Sequence, residues 1–202
     1  MNLICLDLEG VLVPEIWISV ASSTGIRELE LTTRDVPDYD ELMRHRLAIL
    51  DERGIRLSDI QQVISTMDPL DGAREFLNSL RERWQVLILS DTFEQFAKPL
   101  MKALDWPPLF CNTLIVDGNN RITDYHLRIQ DGKRETVRAL ASVGMRIAAV
   151  GDSYNDLGMI DSADIGVLFR PPASIRTERP ELPVVDTYAD LDSELQSWAT
   201  FR

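Results

Sequence analysis

Apolar residues gather along this chain in two kinds of pattern that alternate. Leu3 to Leu6, Val86 to Leu89, Ile147 to Val150 and Ile165 to Phe169 are short apolar runs bounded by polar residues or glycine. They read as buried strands, because a strand covered on both faces needs no polar alternation. Between them, Gly72 to Trp84, Phe93 to Leu104, Lys133 to Val143 and Asp156 to Ala163 space their apolar residues three and four apart. That is the period of a helix with one buried face. The alternation predicts an α/β fold, a parallel sheet flanked by helices.

The stretch from Pro14 to Asp68 breaks this rhythm. It holds no convincing strand and predicts amphipathic helices over Ile16 to Ala21, Tyr39 to Asp51 and Ser58 to Ser65. Residues 14–68 therefore read as a small helical cap inserted into a core made of 1–13 and 69–202. Leu114 to Val116 and Ile122 to Leu127 flank Asp117-Gly118-Asn119-Asn120, which has the turn chemistry of a hairpin. The hairpin is expected as a small β excursion near 109–130. The proline-rich stretch Arg170 to Pro183 reads as an irregular loop, and acidic Asp186 to Glu194 as a solvated helix face.

Charge narrows the partners. The formal net charge is −12 over 202 residues, and no basic cluster offsets it, so nucleic acid is excluded as a partner. No apolar stretch approaches the roughly 20 residues that a bilayer requires, so no membrane partner is expected. Cys5 and Cys111 are too few for a disulfide framework and fit a reducing, cytoplasmic setting. Oligomeric state stays open, with a homodimer as one alternative.

In an open parallel sheet, ligands bind beyond the carboxyl ends of the strands, and here those ends carry reactive groups. The first strand runs into Asp7-Leu8-Glu9-Gly10-Val11-Leu12, the second into Ser90-Asp91-Thr92 and the third into Gly151-Asp152-Ser153-Tyr154-Asn155-Asp156. Lys133 opens a helix between the last two. A single Asp after a strand is usually a turn residue or helix cap. Asp7, Asp152 and Asp156 gathered at one edge would instead repel each other unless a hard cation sits among them. Mg²⁺, which takes carboxylates, waters and phosphate oxygens, suits that demand. A further anomaly lies on the Tyr39 to Asp51 helix, where Arg46 falls inside the stripe of Tyr39, Leu42, Met43, Leu47 and Leu50. It is either a snorkelling arginine or a grip on a ligand.

These segments, in this order, resemble the haloacid dehalogenase superfamily, and Gly-Asp-Ser-Tyr-Asn-Asp with the early helical cap looks like its phosphoserine phosphatase family. The resemblance implies a Rossmannoid core. It makes Asp7 the nucleophile that forms an aspartyl-phosphate. It implies Mg²⁺ held by Asp7, the carbonyl of Glu9 and Asp152, with Asp156 and Asn155 orienting that shell or the phosphate. Whether Asp156 meets the metal directly or through water stays open. Ser90 would donate to a phosphoryl oxygen, helped by backbone N–H groups near Asp91, and Lys133 would neutralise developing charge.

Glu9 departs from the family, where Asp is usual at the position of the general acid and base. The extra methylene moves its carboxyl by roughly 1.5 Å. Glu at this position resembles the bifunctional phosphoserine phosphatase and phosphoserine:homoserine phosphotransferase group. Phosphoserine is thus the implied substrate and homoserine an implied acceptor. An amino-acid zwitterion needs a carboxylate for its ammonium and a guanidinium for its carboxylate, and Glu15 and Arg46 are the candidates. Two alternatives remain: a phosphatase of the same fold for another small phosphomonoester, and a receiver-like domain that carries a phospho-aspartate as a signal.

Overall fold

The first strand, β1 (Asn2–Leu6), sends Ile4 and Leu6 to one face of a sheet and Leu3 and Cys5 to the other, into two separate apolar clusters. All four side chains are buried, which is why the run carries no polar position. In the computed structural model, which describes residues 1–32, 35–36 and 38–200, β1 lies at the centre of a seven-stranded sheet.

The chain continues through α1 (Ile16–Thr24), α2 (Tyr39–Glu52), α3 (Leu57–Ile64), α4 (Ala73–Arg83), β2 (Gln85–Phe93), α5 (Glu94–Ala103), β3 (Leu109–Val116) and β4 (Ile122–His126). It then forms α6 (Gly132–Ser142), β5 (Arg146–Gly151), α7 (Leu157–Ser162), β6 (Ile165–Phe169), α8 (Ala173–Glu178), β7 (Val184–Val185) and α9 (Tyr188–Thr200). The strand order is β4-β3-β2-β1-β5-β6-β7. Every pairing is parallel except that of β3 with β4. The chain winds outward through β2 and β3 on one side of β1, then returns to β5 on the other. This reversal opens a crevice at the carboxyl ends of β1, β2 and β5, where parallel sheets bind ligands.

The helices of the 14–68 segment fall where apolar spacing puts them. Helix α2 starts at Asp38, whose carboxylate accepts the Glu41 N–H at 3.0 Å, and it buries Leu42, Met43, Arg46, Leu47, Ile49 and Leu50. Positions 33, 34 and 37 of that segment lie outside the described residues.

Three expectations are amended. The hairpin grows out of the sheet, because Leu109 and Phe110 pair with β2 before β3 turns into β4. The stretch read as an irregular loop contains α8, with Pro172 at its N-cap, a position where a missing N–H costs little. The acidic tail forms α9, which exposes Asp190, half-buries Asp192 and Glu194, and also buries Leu191, Leu195 and Trp198. Tyr188 stacks between Phe76 and Phe169, and its hydroxyl donates to the Val11 carbonyl at 2.7 Å, tying α9 to the turn after β1. No helix among the described residues is long and apolar enough to cross a membrane.

Candidate active site

Asp7 follows β1 directly, and its N–H donates to the Val150 carbonyl at 2.9 Å, which keeps it in register with the end of β5. The chain then turns sharply, with the N–H groups of Leu12 and Val13 both on the Leu8 carbonyl at 2.8 and 3.0 Å. Gly10 makes the turn possible. Its φ is +76°, and a Cβ there would lie 2.5 Å from the Asp152 carboxyl carbon, so only glycine lets that carboxylate approach.

The end of β5 is equally close-fitting. A Cβ on Gly151 would meet the Cβ of Asp156 at 2.2 Å. Asp156, fully buried, holds the loop from within: its Oδ2 accepts the N–H groups of Asp152 and Ser153, each at 3.0 Å, and the Ser153 hydroxyl at 3.2 Å. Its Oδ1 takes the Lys133 ammonium at 2.7 Å. Lys133 enters from the first turn of α6 and also reaches Asp7 Oδ1 at 2.9 Å, an oxygen that accepts the Leu8 N–H at 2.7 Å as well.

Charge is unbalanced here. Ligand oxygens of Asp7, Asp152 and Asp156 lie within 4.8 Å of one another, and one ammonium stands among them. Burial and then the Asp156 charge push the Asp7 carboxyl well above the ordinary carboxylate range, against the pull of Lys133. Burial alone would depress Lys133, but Asp156, Asp7 and Asp91 overturn that and hold it firmly protonated. With all three ionised, three carboxylates against one ammonium leave two negative charges, and an all-oxygen donor set of this kind fits a hard divalent cation.

Strand β2 brings Ser90 to the same edge, buried, with its Oγ accepting the Thr92 N–H at 3.2 Å. Asp91 turns its carboxylate to Asn155, whose Nδ2 donates at 2.8 Å, and stands 3.7 Å from the Lys133 nitrogen. Asn155 in turn accepts the Ser153 hydroxyl on its Oδ1. A cavity of about 310 Å³ opens over these groups, and Glu9, Glu15, Trp17, Tyr39 and Arg46 line its other walls.

Two features of those walls carry chemistry. Glu9 accepts the N–H of Ile16, the first residue of α1, at 2.8 Å. Burial, reinforced by the nearby Glu15 charge, pushes its carboxyl up to about 7. Arg46 is buried over the face of Trp17, 4.6 Å from the ring centre, and donates to the Leu31 carbonyl at 2.7 Å. Its Nε is buried without a partner. Burial lowers its pKa to about 10, so it stays cationic at neutral pH.

A model of the haloacid dehalogenase-like hydrolases matches residues 1–164. The chain belongs to that family. Phosphoserine phosphatase of Pseudomonas syringae pv. tomato is 55% identical over 96% of this chain and 82% of its own length. Phosphoserine phosphatase ThrH of Pseudomonas aeruginosa is 54% identical over 96% of this chain and 95% of its own. Among solved structures, a phospho-aspartyl intermediate analogue of phosphoserine phosphatase superposes with a TM-score of 0.78 at 23% identity, covering 97% of this chain and 98% of the other.

For this haloacid dehalogenase-like hydrolase, the sequence singled out ten residues, and the fold brings them to one edge. Asp7, Glu9, Glu15, Arg46, Ser90, Asp91, Lys133 and Asn155 all line the cavity, with Asp152 and Asp156 beside Asp7. Trp17 lines it too, whereas Met43 is packed in the core beneath Arg46. Sequence reasoning missed Tyr39, Thr92 and Tyr154 as lining residues. Tyr39 had a visible signal, since it stands two helical turns before Arg46 on the same face.

Proposed function

We propose that the chain is a Mg²⁺-dependent phosphoserine phosphatase that also passes the phosphoryl group to homoserine, working in the cytoplasm through an aspartyl-phosphate on Asp7. One observation carries the reading: a single cavity has the Asp7–Lys133–Asp156 cluster at one end and a buried, incompletely bonded Arg46 at the other. A phosphate and a carboxylate on one small molecule fit those two ends. Two relatives more than half identical to this chain are phosphoserine phosphatases by name. Residues 14–68 act as the cap that closes the amino-acid end.

Asp7, the Glu9 carbonyl and Asp152 would hold the cation, which supplies neutralisation of charge on the phosphoryl group when bound. Asp156 has both oxygens committed to Lys133 and the 152–153 backbone. It would orient those groups around the cation. Asp7 attacks phosphorus in line while Glu9 gives its proton to the departing serine oxygen. A carboxyl titrating near 7 has both forms available at neutral pH, as an acid that must later act as a base requires. Glu9 then takes a proton from water or from the homoserine hydroxyl, whose oxygen attacks phosphorus and frees Asp7. Ser90 and Lys133 hold the equatorial oxygens. The ammonium of the substrate rests on Glu15 and its carboxylate on Arg46.

The test is incubation with Mg²⁺ and phosphoserine labelled in the phosphate, with and without homoserine. Label is expected in inorganic phosphate alone without homoserine, and in phosphohomoserine as well when it is present. Phosphate as the sole product under both conditions would remove the transfer activity. No release from phosphoserine alongside turnover of other phosphomonoesters would move the substrate elsewhere.

A further inference from the structure

One hydrogen bond joins the two ends of the pocket, and the proposed chemistry does not use it. Ser90, at the phosphoryl end, is followed by Asp91, whose backbone carbonyl accepts the Tyr39 hydroxyl at 3.1 Å and the Asn112 side-chain N–H at 3.1 Å. Tyr39 is the first residue of α2, the helix that carries Arg46 two turns further on. At 1.5 Å per residue these positions are about 10 Å apart along a stiff rod. Fixing the start of that rod against the end of β2 therefore fixes how far the guanidinium stands from Ser90.

We infer that Tyr39 is a specificity-determining residue: its hydroxyl sets the span between the phosphate-binding and carboxylate-binding ends of the cavity. That span decides how many methylenes a phosphorylated amino acid can place between its two anionic groups. The inference rests on the reading of the pocket given above.

The position of the ring does not depend on its hydroxyl. It meets Tyr125 edge to face at 5.9 Å, and Tyr125 in turn meets Phe93 at 6.2 Å. Tyr39→Phe should thus keep the packing and lose the tie. Helix α2 has other ties to β4, through Arg44 to Asp124 at 2.9 Å and through the Tyr125 hydroxyl to Asp40. Those lie on its exposed side, where water competes and each tie restrains the helix only weakly. The Tyr39 bond is made inside the cavity wall, next to the residue that meets phosphate.

Three substrates separate span from general damage: O-phosphoserine, O-phosphohomoserine with one more methylene, and p-nitrophenyl phosphate with no amino-acid end. For Tyr39→Phe, KM for phosphoserine should rise about threefold to tenfold, the worth of one neutral hydrogen bond. The preference for phosphoserine over phosphohomoserine should narrow correspondingly, with kcat and the aryl phosphate little changed. Tyr125→Phe, which removes an outer tie, should leave the preference at its wild-type value. An unchanged preference in Tyr39→Phe, equal loss on all three substrates, or a matching shift in Tyr125→Phe would overturn the inference. A wild-type enzyme that hydrolyses the aryl phosphate without favouring phosphoserine overturns the pocket reading itself, and the inference with it.

Discussion

At the phosphoryl end of the cavity, Asp7, Lys133 and Asp156 are buried and bound to one another at 2.7 to 2.9 Å. Asp7 and Asp156 sit just beyond neighbouring strands of the sheet, on backbone that only glycine at positions 10 and 151 accommodates. At the amino-acid end, Glu15 is exposed, and Arg46 rests on one carbonyl, one sulfur and the face of Trp17. The first end is held from several directions at once, so no member can shift alone. The second is carried by helices that pack through their apolar faces, α1 through Ile16, Val20 and Ala21 and α2 through Leu42, Met43, Leu47 and Leu50. In the proposed reading, chemistry belongs to the sheet, while substrate choice belongs to the helical segment and can vary without disturbing it.

The sharpest way to break this contrast is to disable the sheet end. Asp7→Asn keeps the shape and removes the nucleophile, and kcat for phosphoserine should fall by about 10⁵ or more, as for other nucleophiles that work as part of a unit. Aryl phosphate turnover should fall equally, because both substrates use this end.

Glu9 comes next. In the proposed mechanism it gives its proton to the leaving group, and burial pushes its carboxyl up to about 7. Raising pH through 7 empties that acid, so the rate of serine release in a single turnover should decline on the alkaline side. Glu9→Gln should abolish this limb and lower kcat by about 10² to 10⁴. Linkage gives the sign for stability. A folded pKa raised above the unfolded value favours the fold below about pH 4.5 and loses that contribution as pH rises through 7. In the metal-free protein, Glu9→Gln should therefore raise Tm at pH 8 by roughly 2 to 6 °C and change it little at pH 4.

Arg46→Ala probes the other end. Losing a hydrogen bond to a charged group should raise KM for phosphoserine about tenfold to a hundredfold while leaving the aryl phosphate nearly unaffected. Equal loss on both would mean that Arg46 supports structure and that the two ends are not separable. Smallest of all, Arg44→Ala removes exposed ties to Asp40 and Asp124. It should cost under about 1 kcal/mol in a denaturant titration and leave KM unchanged.

The same contrast decides what could be read from the sequence. Asp7, Ser90 and Asp152 stand directly after or at the end of apolar runs, so strand ends exposed them, and the parallel sheet told where strand ends meet. Arg46 was legible as a charge inside an apolar stripe. Tyr39 stood in the same stripe, but an aromatic ring there looks like packing, and its hydroxyl gains a role only when α2 meets β2. The Asp91–Asn155 contact likewise needs two distant loops brought together. Strand β7 has two residues, too few to show a period. Prolines hid α8 because one of them sits where a helix tolerates it.

The central claim is that phosphorus is bonded to Asp7 during turnover. Mixing the enzyme with Mg²⁺ and phosphate-labelled phosphoserine, quenching in acid within one turnover and mapping the label by peptide mass spectrometry addresses it directly. Label should reside on the peptide containing Asp7, disappear on chasing with unlabelled substrate, and be absent in Asp7→Asn. Turnover that proceeds with no labelled protein, or with label on another residue, would contradict the account.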